Sequence, residues 1–141
     1  MPATKTYDAA KVTVIVGTRI LSGFAPDAMV SVEQDEDAFT KQIGVTGEAT
    51  RSKSNNLAGK ITISLIQSSA DNDFLSGLAN ADQLSNSGLT TVLIRDQGGR
   101  SLHLAPEAWV QKLPVGEYNR EAGPREWVMD CGRIISTFGG N

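Results

Sequence analysis

Few residues of this 141-residue chain are of types that support catalysis or metal binding. His103 is the one histidine, and so the one side chain suited to general-base work near neutral pH. It stands between Leu102 and Leu104 in an alternating strand pattern, and no neighbouring carboxylate and nucleophile complete a triad around it. A surface or interface histidine is the plainer reading. Cys131 is the one cysteine, which excludes an intrachain disulfide and a thiol-rich metal site. Its setting, Val128-Met129-Asp130-Cys131-Gly132, reads as a buried, inert thiol. Gly98-Gly99 lacks the Lys-Ser/Thr that follows in a phosphate loop, and it reads as a hairpin turn. The acidic run Glu33, Asp35, Glu36 and Asp37 offers oxygens to a hard cation, but without the spacing and central glycine of an EF-hand loop. A solvated hairpin turn or a partner-facing acidic patch fits it better. No catalytic residue, metal site or cofactor is expected.

The bulk properties point the same way. With 40% hydrophobic and 6% aromatic residues, the core must rest mainly on Val, Ile and Leu. Trp109 and Trp127 lie inside strand patterns, where packing suits them better than a concave ligand site, and the aromatics are too scattered for a base-stacking platform. A net charge of −3 with no basic cluster argues against gripping nucleic acid through its phosphates. It leaves open a surface that DNA slides past. Residues 1–11 carry no apolar signal-peptide core, and no run approaches the roughly 20 apolar residues of a membrane span. Synthesis and retention in a cytoplasm, as one domain over 1–141, is the expectation.

The elements that would position these residues are mostly strands. Period-two alternation marks Val12–Val16, which Gly17-Thr18 turns into residues 19–21. Val30 and Val32 share a face, and Phe39–Ile43 is expected to complete a hairpin with that strand around Asp35-Glu36-Asp37. Ile61, Ile63 and Leu65 make another inner face. Further strands are expected over 91–95, 100–104, 108–111, 126–130 and 133–138. One helix follows Ser68 or Ser69 as its cap, with Asp71 and Asp73 in the dipole-favoured first turn. Its apolar stripe would be Phe74, Leu75, Leu78, Ala79 and Leu84.

Between these strands lies a polar segment of unusual length, 44–59, carrying Arg51, Lys53, Asn55 and Asn56 with Ser52 and Ser54 between them. Loops beyond about 12–15 residues are uncommon in compact domains unless functional or disordered. Two readings stand: a floppy loop, or a β-hairpin arm that orders against another subunit. The Gly- and Pro-rich insertion 114–124 would rim the domain.

Taken together, the order of these elements resembles the tail tube proteins of bacteriophages with contractile tails. The resemblance is carried by Val30-Ser31-Val32-Glu33-Gln34-Asp35-Glu36-Asp37-Ala38-Phe39-Thr40-Lys41, by Gly47-Glu48-Ala49-Thr50-Arg51 with Ser54-Asn55-Asn56, and by Gly59-Lys60-Ile61-Thr62-Ile63-Ser64-Leu65. It continues through Ser69-Ala70-Asp71-Asn72-Asp73 to Arg125-Glu126-Trp127-Val128-Met129-Asp130-Cys131. It implies a mainly β fold with one helix, of the tail tube sandwich/barrel type. In that type the sheets of a hexameric ring join into one inner barrel, and rings stack into a tube.

By the same resemblance, the arm residues Arg51, Lys53, Asn55 and Asn56 would contact the next ring. Glu33, Asp35, Glu36 and Asp37 would lie at the lumen or rim. A contractile sheath would surround the tube, with baseplate, tail terminator and tape measure proteins as further partners. DNA would pass the lumen without specific binding, in a virion tail assembled in the host cytoplasm. A tube of a contractile injection or secretion machine is an alternative, and a monomeric β-sandwich module for carbohydrate or protein ligands is a more distant one.

Overall fold

Alternating branched aliphatics close a core on one side of a large antiparallel sheet. A computed structural model describes residues 3–140; Met1, Pro2 and Asn141, which the single-domain reading of 1–141 includes, lie outside the described residues. A 3-10 turn, Ala9–Lys11, precedes β1 (Val12–Val16) and the short β2 (Arg19–Ile20). Next come β3 (Val30–Gln34), β4 (Phe39–Ile43), β5 (Ala49–Lys53) and β6 (Gly59–Ile66). Helix α1 (Asp71–Ser85) leads to β7 (Thr90–Asp96), β8 (Leu102–Lys112), β9 (Pro124–Cys131) and β10 (Ile135–Thr137).

The main sheet runs in the order β2-β1-β7-β8-β9-β6-β3, with β10 beside β8, and β4 and β5 form a separate two-stranded ribbon. The inner face carries Val14, Val16, Val92, Ile94, Ala105, Val110, Trp127, Met129, Cys131, Ile61, Ile63 and Leu65, all buried. Helix α1 adds Leu75 and Ala79 to this core, with Phe74 and Leu78 packed against it. Trp127 is 1% exposed, and its indole N–H donates to Asn72 Oδ1 at 2.9 Å, so the largest core side chain also ties β9 to the helix.

Leu84, expected on the helix stripe, is instead 88% exposed. Nine residues beyond Leu75 at about 3.6 residues per turn, it faces the opposite way. The helix ends where Asn86 takes a left-handed conformation, φ 56°. At the other end Ala70 occupies the cap position, and Ser69 Oγ accepts from the Asp71 N–H at 3.2 Å from one residue earlier.

Three further expectations are corrected. β3 does not pair with β4: it pairs with β6, setting Val30 opposite Ile63 and Val32 opposite Ile61, while β4 pairs with β5. That register gives the two valines apolar neighbours on the buried face, which β4 cannot supply with Lys41 between Phe39 and Ile43. The strands expected over 100–104 and 108–111 are one strand, β8. Pro106 is accommodated because the β7–β8 register shifts between Thr90 and Val92 there, and its carbonyl accepts from Thr91 Oγ1 at 3.2 Å.

Of the two readings of His103, surface or interface, the surface one is corrected. The side chain is buried, hydrogen-bonds through Nδ1 with Ser136 Oγ at 2.9 Å, and meets the Phe138 ring edge-on at 4.7 Å between centroids. Burial holds its pKa below the usual imidazole value.

Candidate functional site

Residues 35–58 leave the body as an arm. Of the two readings of 44–59, the β-hairpin fits 44–53: its first strand begins earlier, at Phe39, its turn is 44–48, residues 54–58 are irregular, and Gly59 already belongs to β6. In the ribbon, Phe39 faces Lys53, Lys41 faces Arg51 and Ile43 faces Ala49. Directly opposed residues share a face, so these six side chains lie on one side. The other side carries Thr40, Gln42, Thr50 and Ser52. One face is thus cationic and apolar, the other neutral and polar, and every residue of both strands is exposed. The Arg51 guanidinium stacks over the Phe39 ring, 4.4 Å from its centroid.

The turn is tightly made. Gly44 N–H donates to Glu48 O at 2.7 Å, Gly47 N–H donates to Gly44 O at 3.0 Å, and Gly47 adopts φ 95°, where a side chain would be strained. The Thr46 hydroxyl donates to the Glu48 carboxylate, holding that group below its ordinary pKa. Val45, at the tip, is fully exposed.

At the neck the two chain segments are clasped together. Asp35 N–H donates to Ala58 O at 3.0 Å and Ser54 N–H to Ala38 O at 2.9 Å. Ser54 Oγ donates to Glu36 at 2.8 Å, and this bond, joined by one from Asn56, lowers the Glu36 pKa. Asn56 spends its own groups locally, its N–H on Ser54 Oγ at 3.2 Å and its Oδ1 on Ala58 N–H at 3.1 Å. Gly59 closes the neck, because a Cβ there would strike the Glu33 carbonyl and an Ile134 methyl.

The sequence-predicted residues therefore separate. Arg51 and Lys53 share the cationic face, whereas Asn55 and Asn56 sit in the neck. Glu33 belongs to β3, opposite Lys60, which faces Asp130 in turn. Asp35, Glu36 and Asp37 stand exposed where the arm springs from the body, not at the tip of a β3–β4 hairpin. Among the described residues no group of three or more His, Cys, Asp or Glu side chains is placed to hold a metal ion.

Sequence reasoning missed Phe39, Lys41 and Ile43 as members of the cationic face, although their period-two spacing was the available signal. It also missed the ion pair of Arg19 with buried Asp71. Asp71 accepts from Ser22 N–H at 2.7 Å as well, pinning the helix start to the segment after β2. Burial opposes its charge, but the bonds from Arg19 and Ser22 prevail and lower its pKa. Those partners are about 50 positions away, beyond any local signal.

Residues 8–139 match a family described as the bacteriophage PhiTE tail tube protein. Structural protein ORF10 of Pseudomonas phage KPP10 is 34% identical over 146 residues, covering 98% of this chain and 84% of its own. Among solved structures, the tube-terminating cap of the anti-feeding prophage aligns at 15% identity with TM-score 0.64, over 97% of this chain and 94% of its own. A chain of the PVC sheath–tube complex, from an extracellular contractile injection system, aligns at 16% and 0.64, over 94% and 91%. The sheath/tube terminator of that system aligns at 15% and 0.66, over 97% and 100%. At these identities the structural likeness is one of fold. Matched by the family model over nearly its whole length and by a phage structural protein over 98%, the chain belongs to the bacteriophage PhiTE tail tube protein family.

Proposed function

We propose that copies of this chain form hexameric rings that stack into the inner tube of a contractile phage tail. The observation that carries this reading is the division between a body with a complete core and an arm whose two strands bury no residue among the described residues. A structural part of this kind needs no catalytic residue, and none is assigned. The main sheet ends on β3 at one side and on two-residue β2 at the other. Joining such ends around a ring would remove the exposed edges that invite uncontrolled pairing. Rings then stack through the arm, with Arg51 and Lys53 in contact with the next ring and Asn55 and Asn56 holding the base of that contact. Glu33, Asp35, Glu36 and Asp37 lie at the ring's rim.

The tail sheath would cover the tube, a terminator and a baseplate would cap its ends, and a tape measure protein would set its length. The net charge of −3 suits a lumen through which DNA passes without sticking. The place of action is the virion tail, after assembly in the host cytoplasm. Phage identity is favoured over an injection machine by the 34% identity to a phage structural protein, against 15–16% to the injection-system chains.

Negative-stain electron microscopy of the purified chain over a range of concentrations, with and without a baseplate seed, tests the reading. Rings and hollow tubes are the expected outcome. A monomer at every concentration, seeded or not, would overturn it.

A further inference from the structure

We propose that the cleft between the first two turns of helix α1 and the loop 113–123 binds a carboxylate side chain of a partner protein, and that Arg125 grips it. The proposal goes beyond the ring-and-tube reading and does not depend on it.

Arg125 is out of pattern for its place in the fold. In β9 the alternation that buries Trp127, Met129 and Cys131 puts Arg125 on the same inner face, opposite buried Leu65. A half-buried cation at such a position is normally paired with a carboxylate. Here the one ion pair among the described residues is Arg19 with Asp71. Arg125 spends a single N–H on the Glu117 carbonyl at 3.3 Å, and its guanidinium lies 5.3 Å from the Tyr118 ring centroid. The rest of its planar fork bonds nothing among the described residues. That fork is the geometry that takes a carboxylate by two parallel hydrogen bonds.

The surroundings of Arg125 are short of acceptors rather than donors. The cleft holds about 360 Å³, and Gln67, Asn72, Ser76, Tyr118 and Trp127 line it with Arg125. Asn72 is fully engaged: its Nδ2 donates to Ile66 O at 3.0 Å and to Gln67 O at 3.3 Å, while its Oδ1 accepts from Trp127. Gln67 Oε1 accepts from Gly123 N–H at 3.3 Å. What stays unbound is the Gln67 side-chain amino group, the Ser76 hydroxyl and the Arg125 fork. Groups of that kind around an unpaired cation call for an anionic acceptor.

The mouth of the cleft favours a protein segment over a free ion. Pro114 and Val115 line it as well, and Val115 and Tyr118 are 80% and 81% exposed. Apolar groups at the rim suit the aliphatic side chains that flank an acidic residue, and they offer nothing to a small hydrated anion. The Gly123–Gln67 and Arg125–Glu117 bonds hold the loop over the cleft, so little ordering is left to cost affinity.

Trp127 reports on the site, and a W109F chain carries it as the one tryptophan. Titration with the blocked tripeptide acetyl-Leu-Glu-Leu-amide should change its fluorescence saturably, with a Kd on the order of 1 mM. The Gln tripeptide should bind about tenfold more weakly or worse. R125Q should abolish that preference without moving the melting curve. R125K keeps the charge but not the fork, and should retain a reduced preference.

Equal binding of the two tripeptides would overturn the proposal, and that comparison needs no variant at Arg125. An undiminished preference in R125Q would overturn it too. Acetate that saturates the signal at the same concentration as the Glu tripeptide would overturn the protein occupant, since the rim would then contribute nothing. Self-association that R125Q abolishes would overturn it in favour of a second copy. None of these outcomes bears on whether rings stack, which electron microscopy decides.

Discussion

The body and the arm distribute apolar residues in opposite ways. In the body, every strand from β6 to β9 buries alternate side chains, and Trp127, Ile61, Ile63, Leu65 and Met129 are essentially inaccessible. In the arm, Phe39 and Ile43 alternate with polar residues just as regularly, yet both remain exposed. The same period-two pattern thus yields a core where a facing layer exists and an exposed face where none does. The body buries its apolar side chains within the chain; the arm's two strands bury none of theirs.

That contrast would break if the two regions responded alike to perturbation. The largest expected effect is Trp127→Ala, which should cost the isolated chain about 3–5 kcal/mol through the cavity it leaves. Denaturant titration would check this, and a loss below 1 kcal/mol would mean that the body core is not the seat of stability. Asp71→Asn should cost about 1–3 kcal/mol by weakening the bonds from Arg19 and Ser22 that a buried carboxylate satisfies.

A pH series sharpens that second prediction. The folded Asp71 pKa lies below the ordinary 3.8, so its contribution is complete above that pH and is lost as pH falls through the depressed value. The asparagine variant should therefore show a shallower fall in stability below about pH 4 than the unmodified chain. Parallel curves would remove Asp71 from the account. The smallest effect on the isolated chain should come from replacing residues 39–53 with a short glycine linker. The body's unfolding free energy should stay within about 0.5 kcal/mol, as for surface changes away from the core. Long tubes, by contrast, should vanish, and tubes of ordinary length would defeat the assignment of the arm to stacking.

Much of the body was legible because its signals are local. β1, β6, β9 and the helix could be read from alternation and from helical spacing within a dozen residues. Partner choice was not legible in the same way. β3 and β4 are adjacent in sequence and look like hairpin halves, but the strand that buries Val30 and Val32 best lies about 30 positions further on. His103 read as a surface or interface group because its burial depends on Ser136 and Phe138, which no local window contains.

The candidate site was legible in outline for a related reason. Of the cluster Arg51, Lys53, Asn55 and Asn56, the first two lie in the ribbon strand β5 and the last two beside it in the neck. The register that separates face from neck emerged only once Lys41 was seen opposite Arg51.

Cys131 carries a practical consequence. Its thiol is 2% exposed, and burial, with Asp130 and Asp35 nearby, pushes its pKa up to about 11. Since the thiolate is the reactive form, maleimides and disulfide reagents will pass the native cysteine by while the body is folded. A new cysteine at Val45 would then be the one labelling point on the chain. A fluorophore placed there would follow the arm tip in real time, with no need to engineer the native thiol away first.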